Sequence, residues 1–598
     1  MVGHEEPVWY LWKKTWEFSR GNRKNVVLYI IMSVIANIFV FLQPLVLAKL
    51  LNVLQLEGIS QDNLFKILVI VAFFVFTIAG FWLFHGPSRI IERKNAFFVR
   101  LNYKKYLVDG VLSMPSKWHQ EHHSGDTIDK IEKGTVALYQ YSGGTFEVIE
   151  TIVRLVGCVA ALFYFNLMSG FVAIFFIIVA VLIILRYDKR LINYYKEINH
   201  AENATSQKVF DFVSNINTVI ILRLEKVASS EIYKKIRAPF NVFMKYVVDT
   251  EIKWALVSLI SSCMIFFVLS VYLIKEAWLG GIILVGTVVA LYGYVDRLSG
   301  LFFRFAYKYG DITLMKANVE NAEELSNEFK QTIRRKQILM EDWKALEIVG
   351  LTFSYNSFNE KKHDELHLNN IHINLHKGEK IALIGESGSG KTTFLKLIRG
   401  IYAPQKMNLY LVDKKKKKKI NGFDVIDDNM SLIPQDPELF AAIIRENINF
   451  GMNCSDEELQ EYLDAACFTD VVKRLPRHLN SNIKEKGVNL SGGEKQRLAL
   501  ARGLLASRDK EIIMLDEPTS SVDSKNEMKI YQNIFTMYKD KTVISSIHRL
   551  HLLPMFDTIY LFEKGKITAS GDLETLLKKS SKFKELWKKY HKQKKSKF

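Results

Sequence analysis

The sequence predicts an α-helical membrane domain of six transmembrane helices fused to an α/β domain, and three observations carry that reading. Long charge-free apolar runs are confined to residues 1–325. Beyond them the chain becomes mixed in character and rich in lysine. Within this later half, a short apolar strand pattern enters a glycine-rich turn and then a helix pattern. At 598 residues the chain exceeds a single domain. With 49% hydrophobic residues it holds too much apolar side chain to stay unfolded. Lys+Arg 81 against Asp+Glu 63 gives a net charge of +18. The four cysteines, Cys158, Cys263, Cys454 and Cys467, have no paired spacing, which excludes a disulfide scaffold and suits a reducing compartment.

A spanning helix needs about 20 mostly apolar residues. Asn25–Ala48 and Ile67–Gly86 are charge-free and give the first two spans. Leu155–Leu185 is too long for one span and divides at the polar turn Asn166–Gly170. The third span therefore starts earlier and carries Glu150 and Arg154. Trp254–Ile274 and Ala277–Val295 complete the expected six. Lys and Arg crowd the N-terminal arm (Lys13, Lys14, Arg20, Arg23, Lys24) and the segments after spans two and four. The alternate loops are short and without excess positive charge, Lys49 and Lys66 standing against Glu57 and Asp62, and Lys275 beside Glu276. By the positive-inside rule both termini are then cytoplasmic. Trp9, Trp12 and Trp16 recur at helical spacing and suit an interfacial helix ahead of the first span. The long segments Asn95–Lys117 and Asp188–Lys208 read as continuations of the spans into the cytoplasm. They meet at turn-like elbows around Trp118–Thr127 and Asp211–Thr218.

Residues 326–343 form the expected linker, and 344–598 the soluble domain. Ile381–Ile384 leads into Gly385-Glu386-Ser387-Gly388-Ser389-Gly390-Lys391-Thr392-Thr393, a P-loop in its required strand–turn–helix context. Such glycines let backbone N–H groups converge on phosphates at the positive end of a helix. Lys391 then reaches the β- and γ-phosphates and the Thr392 hydroxyl binds Mg²⁺. Downstream, the apolar run Ile512–Leu515 ends in Asp516 and Glu517, the first placed for Mg²⁺ and the second to polarise the attacking water. Between these motifs, Leu490-Ser491-Gly492-Gly493-Glu494-Lys495-Gln496-Arg497 makes a second anion-ready helix start.

That segment resembles the signature of the ATP-binding cassette (ABC) family, and the family's other motifs follow in order. The resemblance implies that Tyr355 stacks on adenine and that Gln435 senses Mg²⁺ and the membrane domain. It further implies that Ser520-Ser521-Val522-Asp523 forms the D-loop and that His548 is the switch histidine at the γ-phosphate. The membrane half resembles an exporter-type half-transporter, through Gly286–Leu291, Leu112–Pro115 and the layout of its spans. In that family the P-loop of one cassette faces the signature of another across ATP. Two chains are then required, a homodimer being the simplest assembly because Glu517 and His548 are both present. A heterodimer with a second half-transporter is the alternative.

The resemblance thus implies an ATP-driven exporter or flippase of amphipathic, hydrophobic or lipid-like molecules, using ATP and Mg²⁺. It would sit in membrane lipid, in a bacterial cytoplasmic membrane, and have no nucleic-acid partner. A peptide exporter is the second reading within transport, and an ATP-gated channel or regulatory membrane ATPase the reading outside it. Asn482, ahead of the signature, departs from the acid common in the family, and Glu485 keeps one. The Lys414–Lys419 run reads as a solvated hairpin tip, and the Lys-rich tail after Lys582 likewise as a solvated surface. Glu150 and Arg154 sit at i, i+4 and either neutralise each other or leave Arg154 for an acidic head group. Asp296 and Arg297 pose the same choice. Tyr292, Tyr294 and Phe303 line a cavity or pack, and His119, His122 and His123 lack the further ligands a metal needs.

Overall fold

A computed structural model of the chain describes residues 5–122, 124–329, 338, 340, 342–355, 367–413, 416–436, 438–483 and 490–595. The chain divides into two compact units, residues 1–114 with 122–332 and residues 115–121 with 333–598.

The first unit is all helix. α1 (Pro7–Phe18) starts on Glu6, whose carboxylate accepts the Trp9 N–H at 3.0 Å. Its Tyr10, Leu11 and Thr15 are buried, while Trp9, Trp12 and Trp16 keep part of their surface exposed, as an interfacial helix requires. The first apolar run forms two helices, α2 (Arg23–Phe41) and α3 (Gln43–Glu57), interrupted at Leu42. Pro44 is the cause: it has no N–H to donate to the Val40 carbonyl one turn earlier. That carbonyl accepts Nη1 of Arg297 at 3.0 Å, and the neighbouring Phe41 carbonyl accepts the Tyr294 hydroxyl at 3.3 Å.

α4 (Gln61–Leu112) runs for 52 residues, well past its apolar stretch. After it in chain order come α5 (Ser116–Glu121), which groups with the second unit, and then α6 (Ser124–Ser142) and α7 (Thr145–Phe165), the last carrying Glu150 and Arg154 as expected. The expected five-residue turn contracts to Asn166 alone. Its side-chain oxygen accepts the Met168 and Ser169 N–H groups at 2.9 and 3.4 Å and so starts α8 (Leu167–Ser214). The second elbow is α9 (Ile216–Ile221), followed by α10 (Glu225–Arg237), α11 (Phe240–Trp278) and α12 (Val285–Phe329). Where α8 packs on α11, Lys253 donates to buried Asp188 at 2.9 Å and to the Ala306 carbonyl of α12 at 3.2 Å.

Among the described residues five helical segments are long and apolar enough to cross a membrane, where six are expected. The run Ala277–Val295 is not one helix. α11 continues to Trp278, Gly280 turns the chain at φ +62°, and only the second half of the run opens α12. α12 then continues to Phe329 and the next strand starts at Trp343, so both ends of the expected 326–343 linker lie in regular elements.

The second unit holds two sheets. β1 (Trp343–Phe353), β2 (Leu368–His376), β4 (Lys406–Asp413) and β5 (Lys417–Ile420) form an antiparallel sheet in the order β2-β1-β4-β5. Lys417–Lys419 therefore belong to a strand rather than to a hairpin tip: Lys417 pairs with Val412 in register and its ammonium sits 4.6 Å from the Tyr410 ring centre. Lys414 lies outside the described residues. The larger sheet contains β3 (Lys380–Ile384), β6 (Met430–Ile433), β7 (Ile512–Asp516), β8 (Thr542–Ser546), β9 (Thr558–Glu563) and β10 (Lys566–Gly571). Its order is β10-β9-β3-β8-β7-β6, parallel except for β10.

β3, β7 and β8 are buried along their whole length, which explains the apolar runs Ile381–Ile384 and Ile512–Leu515. Each buried Leu or Ile contributes about 1.5–3 kcal/mol to this core. α13 (Lys391–Ile398) covers one face, with α14 (Ile444–Asn449), α15 (Asp456–Ala465), α16 (Thr469–Arg474), α17 (Gly492–Ala506) and α18 (Ser524–Met537) in the rest of the unit. α19 (Leu573–Lys579) and α20 (Ser581–Lys595) end it, α20 seating Phe583 and Trp587 on the core. The four cysteines are free.

Candidate functional site

The parallel strands β3, β8, β7 and β6 are neighbours, and each delivers one motif from its C-terminal end. This is where open α/β sheets place ligands. A cleft of about 810 Å³ there is lined by Ser387, Gly388, Ser389, Gly390, Lys391, Thr392 and Thr393 with Gln435, Glu517 and His548. Gly385 has φ +151°, and a Cβ on it would stand 2.3 Å from the Phe562 carbonyl. Gly390 starts α13 at φ +107°, where a Cβ would meet Leu368 at 2.7 Å. Only glycine fits either position. Lys391 is nearly buried and donates to the Gly385 and Glu386 carbonyls at 2.9 and 3.1 Å. Burial lowers its pKa from the usual lysine value, and the charges of Glu517 and Asp516 act against that shift.

The two acids at the end of β7 have different partners. Asp516 accepts the hydroxyls of Thr392 at 3.0 Å and Ser546 at 2.8 Å through one oxygen. Glu517 receives Nε2 of Gln435 at 3.1 Å on one oxygen and faces Nε2 of His548 at 2.9 Å with the other. Its backbone takes φ +48°, a left-handed conformation unusual for glutamate, and its N–H is held by the Ser546 hydroxyl at 3.0 Å. Such strain costs about 1–3 kcal/mol and persists only where the surroundings impose it.

Tyr355 lies beside this cleft. Its hydroxyl reaches Thr393 at 3.4 Å, and its ring meets His367 and Tyr402 edge-on at 4.8 and 5.2 Å. Burial raises its phenol pKa, partly offset by the Thr393 contact. Ser491, Gly492 and Gly493 are not among the residues lining the cleft. Ser491 caps α17 in a reciprocal box with Glu494, and a Cβ on Gly493 would lie 2.7 Å from the Ser521 carbonyl. Asp523 caps α18 by accepting the Asn526 N–H at 3.0 Å, which lowers its pKa. Asn482 forms a bridge with Ile443, whereas Glu485 lies outside the described residues.

Both halves of the chain match family models. The ABC transporter transmembrane region matches residues 26–296 and the ABC transporter model residues 368–520. The chain belongs to the ABC transporters. It is an integral, multi-pass membrane protein whose cassette binds ATP and couples its hydrolysis to transport. The transporter is 26% identical over 79% of its length to a multidrug resistance ABC transporter ATP-binding and permease protein of Lactococcus lactis subsp. cremoris, covering 78% of that protein. It is 27% identical over 96% of its length to the mitochondrial iron-sulfur clusters transporter ATM1 of Candida glabrata, covering 80%. In fold it resembles a bacterial Atm1-family ABC exporter solved with ATP bound, at TM-score 0.80 and 21% identity over 95% of this chain and 98% of that one.

The transporter's donor set also fits magnesium. Thr392 and Asp516 supply hard oxygens side by side, and no cluster of three or more His, Cys, Asp or Glu exists among the described residues. Mg²⁺ characteristically takes one or two protein oxygens with the substrate's phosphates. Three residues escaped the sequence reading. Ser546 joins Asp516 to the Glu517 backbone. Gln496 donates to Ser520 at 2.7 Å and accepts the Ser521 N–H at 2.8 Å, tying signature to D-loop. Arg549 grips the Val522 carbonyl at 2.8 Å. Each sits within a motif already located, so adjacency to the motif was the available signal.

The membrane charges are also placed. Glu150 pairs through one oxygen with Arg154 at 2.5 Å and through the other with Arg304 at 2.7 Å. Tyr294 is fully buried, Phe303 stacks on Trp254 with ring centres 5.8 Å apart, and Tyr292 and Asp296 are exposed. His122 approaches Glu328 at 3.9 Å, and His123 lies outside the described residues.

Proposed function

We propose that two copies of this transporter form a homodimeric exporter or flippase, moving amphipathic, hydrophobic or lipid-like molecules by alternating access. The observation that carries the dimer is that Lys391, Glu517 and His548 line the cleft and Ser491–Gly493 do not. A signature helix from a second chain completes the site, and two-fold symmetry then makes two complete sites. Multidrug and Atm1-type relatives support export, while their differing names leave the cargo open.

Within the site, Lys391 and the loop N–H groups bind the β- and γ-phosphates of ATP, and Tyr355 stacks on adenine. Ser387, Gly388, Ser389, Gly390 and Thr393 shape the phosphate cradle with Gly385. Magnesium, when bound, neutralises the phosphate oxygens, and Thr392, Asp516 and Gln435 are the residues that hold it. Glu517 accepts the proton of the attacking water, and its strained backbone keeps the carboxylate aimed at the cleft. His548 orients that carboxylate and contacts the γ-phosphate, while Ser491, Gly492, Gly493 and Asp523 serve the partner's nucleotide. The membrane domain comprises residues 1–325, with the start of α12 as its sixth span. The termini and cassette face the cytoplasm of a bacterial cell.

ATP turnover of the purified chain in liposomes, beside Glu517→Gln and with a panel of lipids and amphiphiles, tests the proposal. Turnover that Glu517→Gln abolishes and one class of amphiphile stimulates is the expected result. Silence in every lipid would overturn the homodimer and point to a heterodimeric partner.

A further inference from the structure

The cargo reading can be narrowed from the charges on one seam of the membrane domain. Glu147, Glu150 and Arg154 lie along α7, and Arg297, Arg304 and Lys308 along α12. Their spacing places each set on a single helix face. The lower rungs of this ladder are matched. Glu147 takes Lys308 at 3.0 Å, and Glu150 takes Arg304 at 2.7 Å. The upper end is not matched. Arg154 shares the carboxylate of Glu150 with Arg304. Arg297, within electrostatic range of Arg154 and of Asp296, makes no ion pair among the described residues. Its guanidinium donates to the Val40 carbonyl and, at 3.4 Å, to Gln43, two neutral acceptors that leave donors to spare. Arg154 and Arg304 thus share one carboxylate, with Arg297 held by neutral acceptors, in a segment where an unmatched charge is costly and marks function.

Apolar space adjoins Arg304. A cavity of about 390 Å³ is walled by Ile152, Leu155, Phe305 and Met315, with Arg304 on its lining. Glu6, Lys308, Glu147 and Asp311 also line it, and Asp311 lies two turns along α12 from Arg304, about 10 Å away. Guanidinium groups bind carboxylates and phosphates through paired hydrogen bonds, and an alkyl chain fills an apolar cavity.

We propose that Arg154, Arg297 and Arg304 form a binding site for the anionic head group of an amphiphile, with its apolar part in the adjoining cavity. This rests on the export reading above and specifies its substrate class. The shared chemistry is a phosphate or carboxylate, carried by a lipid or by a free anion.

The test compares ATP turnover of the full chain in phosphatidylcholine liposomes with dodecyl phosphate, dodecyltrimethylammonium, dodecyl maltoside and inorganic phosphate, read by a coupled assay for ADP. Dodecyl phosphate is expected to stimulate at a concentration at least fivefold lower than the other two amphiphiles. Arg154→Gln leaves Glu150 its partner Arg304, and it should raise that concentration at least fivefold without raising the one for dodecyltrimethylammonium. Arg154→Lys should restore half or more of the preference. Competition by inorganic phosphate alone would support a free anion as ligand, and its absence a lipid head group. Stimulation by the ammonium or maltoside amphiphile in preference to the phosphate would overturn the anionic site and leave export standing, as would unchanged selectivity in Arg154→Gln. Silence toward every amphiphile would overturn both. The wild-type comparison decides the matter even if a variant fails to fold.

Discussion

Glu517 and Glu150 are each held by two partners, one per carboxylate oxygen, yet they are built for different work. Glu517 sits past the end of a buried strand on a left-handed backbone, facing Gln435 and His548 at the edge of a cleft. Glu150 sits inside a regular helix between two arginines. The first is poised because strain and neutral or titratable partners keep its carboxylate available. The second is committed, with both oxygens engaged by fixed positive charge. Partners and backbone, rather than burial, separate the acid we propose to react from the one held in ion pairs, since both are largely shielded.

The comparison breaks first at Glu517. Glu517→Gln should lower ATP turnover by about 10²–10⁴-fold, as removal of a general base does, with little change in melting temperature. Glu150→Gln should behave in the opposite way. It strands two arginines, so the membrane domain should lose on the order of 2 kcal/mol and melt earlier, with nucleotide binding retained. A thermal unfolding series on both variants checks the contrast. Ser546→Ala falls between them. It removes two hydrogen bonds worth about 1 kcal/mol each, one to Asp516 and one from the Glu517 backbone. Turnover should drop roughly tenfold, below the Glu517 effect.

The smallest effect concerns Glu494. Burial pushes its pKa up, but the Ser491 N–H and Arg474 outweigh this and hold it below the usual value. A carboxylate whose folded pKa lies below its unfolded one stabilises the fold above the ordinary range. That stability is lost as pH falls through the folded pKa. The melting temperature should therefore fall with acid more steeply in the wild type than in Glu494→Gln.

The cassette was legible because its chemistry is local. A P-loop needs glycines at fixed offsets, and Gly385 and Gly390 occupy backbones no other residue tolerates. The acids of β7 announce themselves after an unbroken apolar run. What could not be read was pairing at a distance. Ser546 and Asp516 are 30 residues apart in sequence and become neighbours only when β7 and β8 align. The membrane half was legible in its apolar runs but not in where helices end. Ala277–Val295 looks continuous in hydropathy, yet the flexible Gly280–Gly281 pair falls inside it and the helices on either side stop short. Arg304 went unnoticed because nothing near it in sequence reveals its bond to Glu150.

The interruption at Pro44 reaches beyond the first span. A carbonyl without its helical i+4 donor is expensive in hydrocarbon, and here a side chain of a different helix caps it. The bend is therefore sealed from outside, by a side chain twelve residues into α12. Such a joint behaves like a hinge whose pin belongs to another part. α12 cannot rotate without either carrying this stretch along or exposing the pinned oxygen, so the two helices are geared together at the break between α2 and α3.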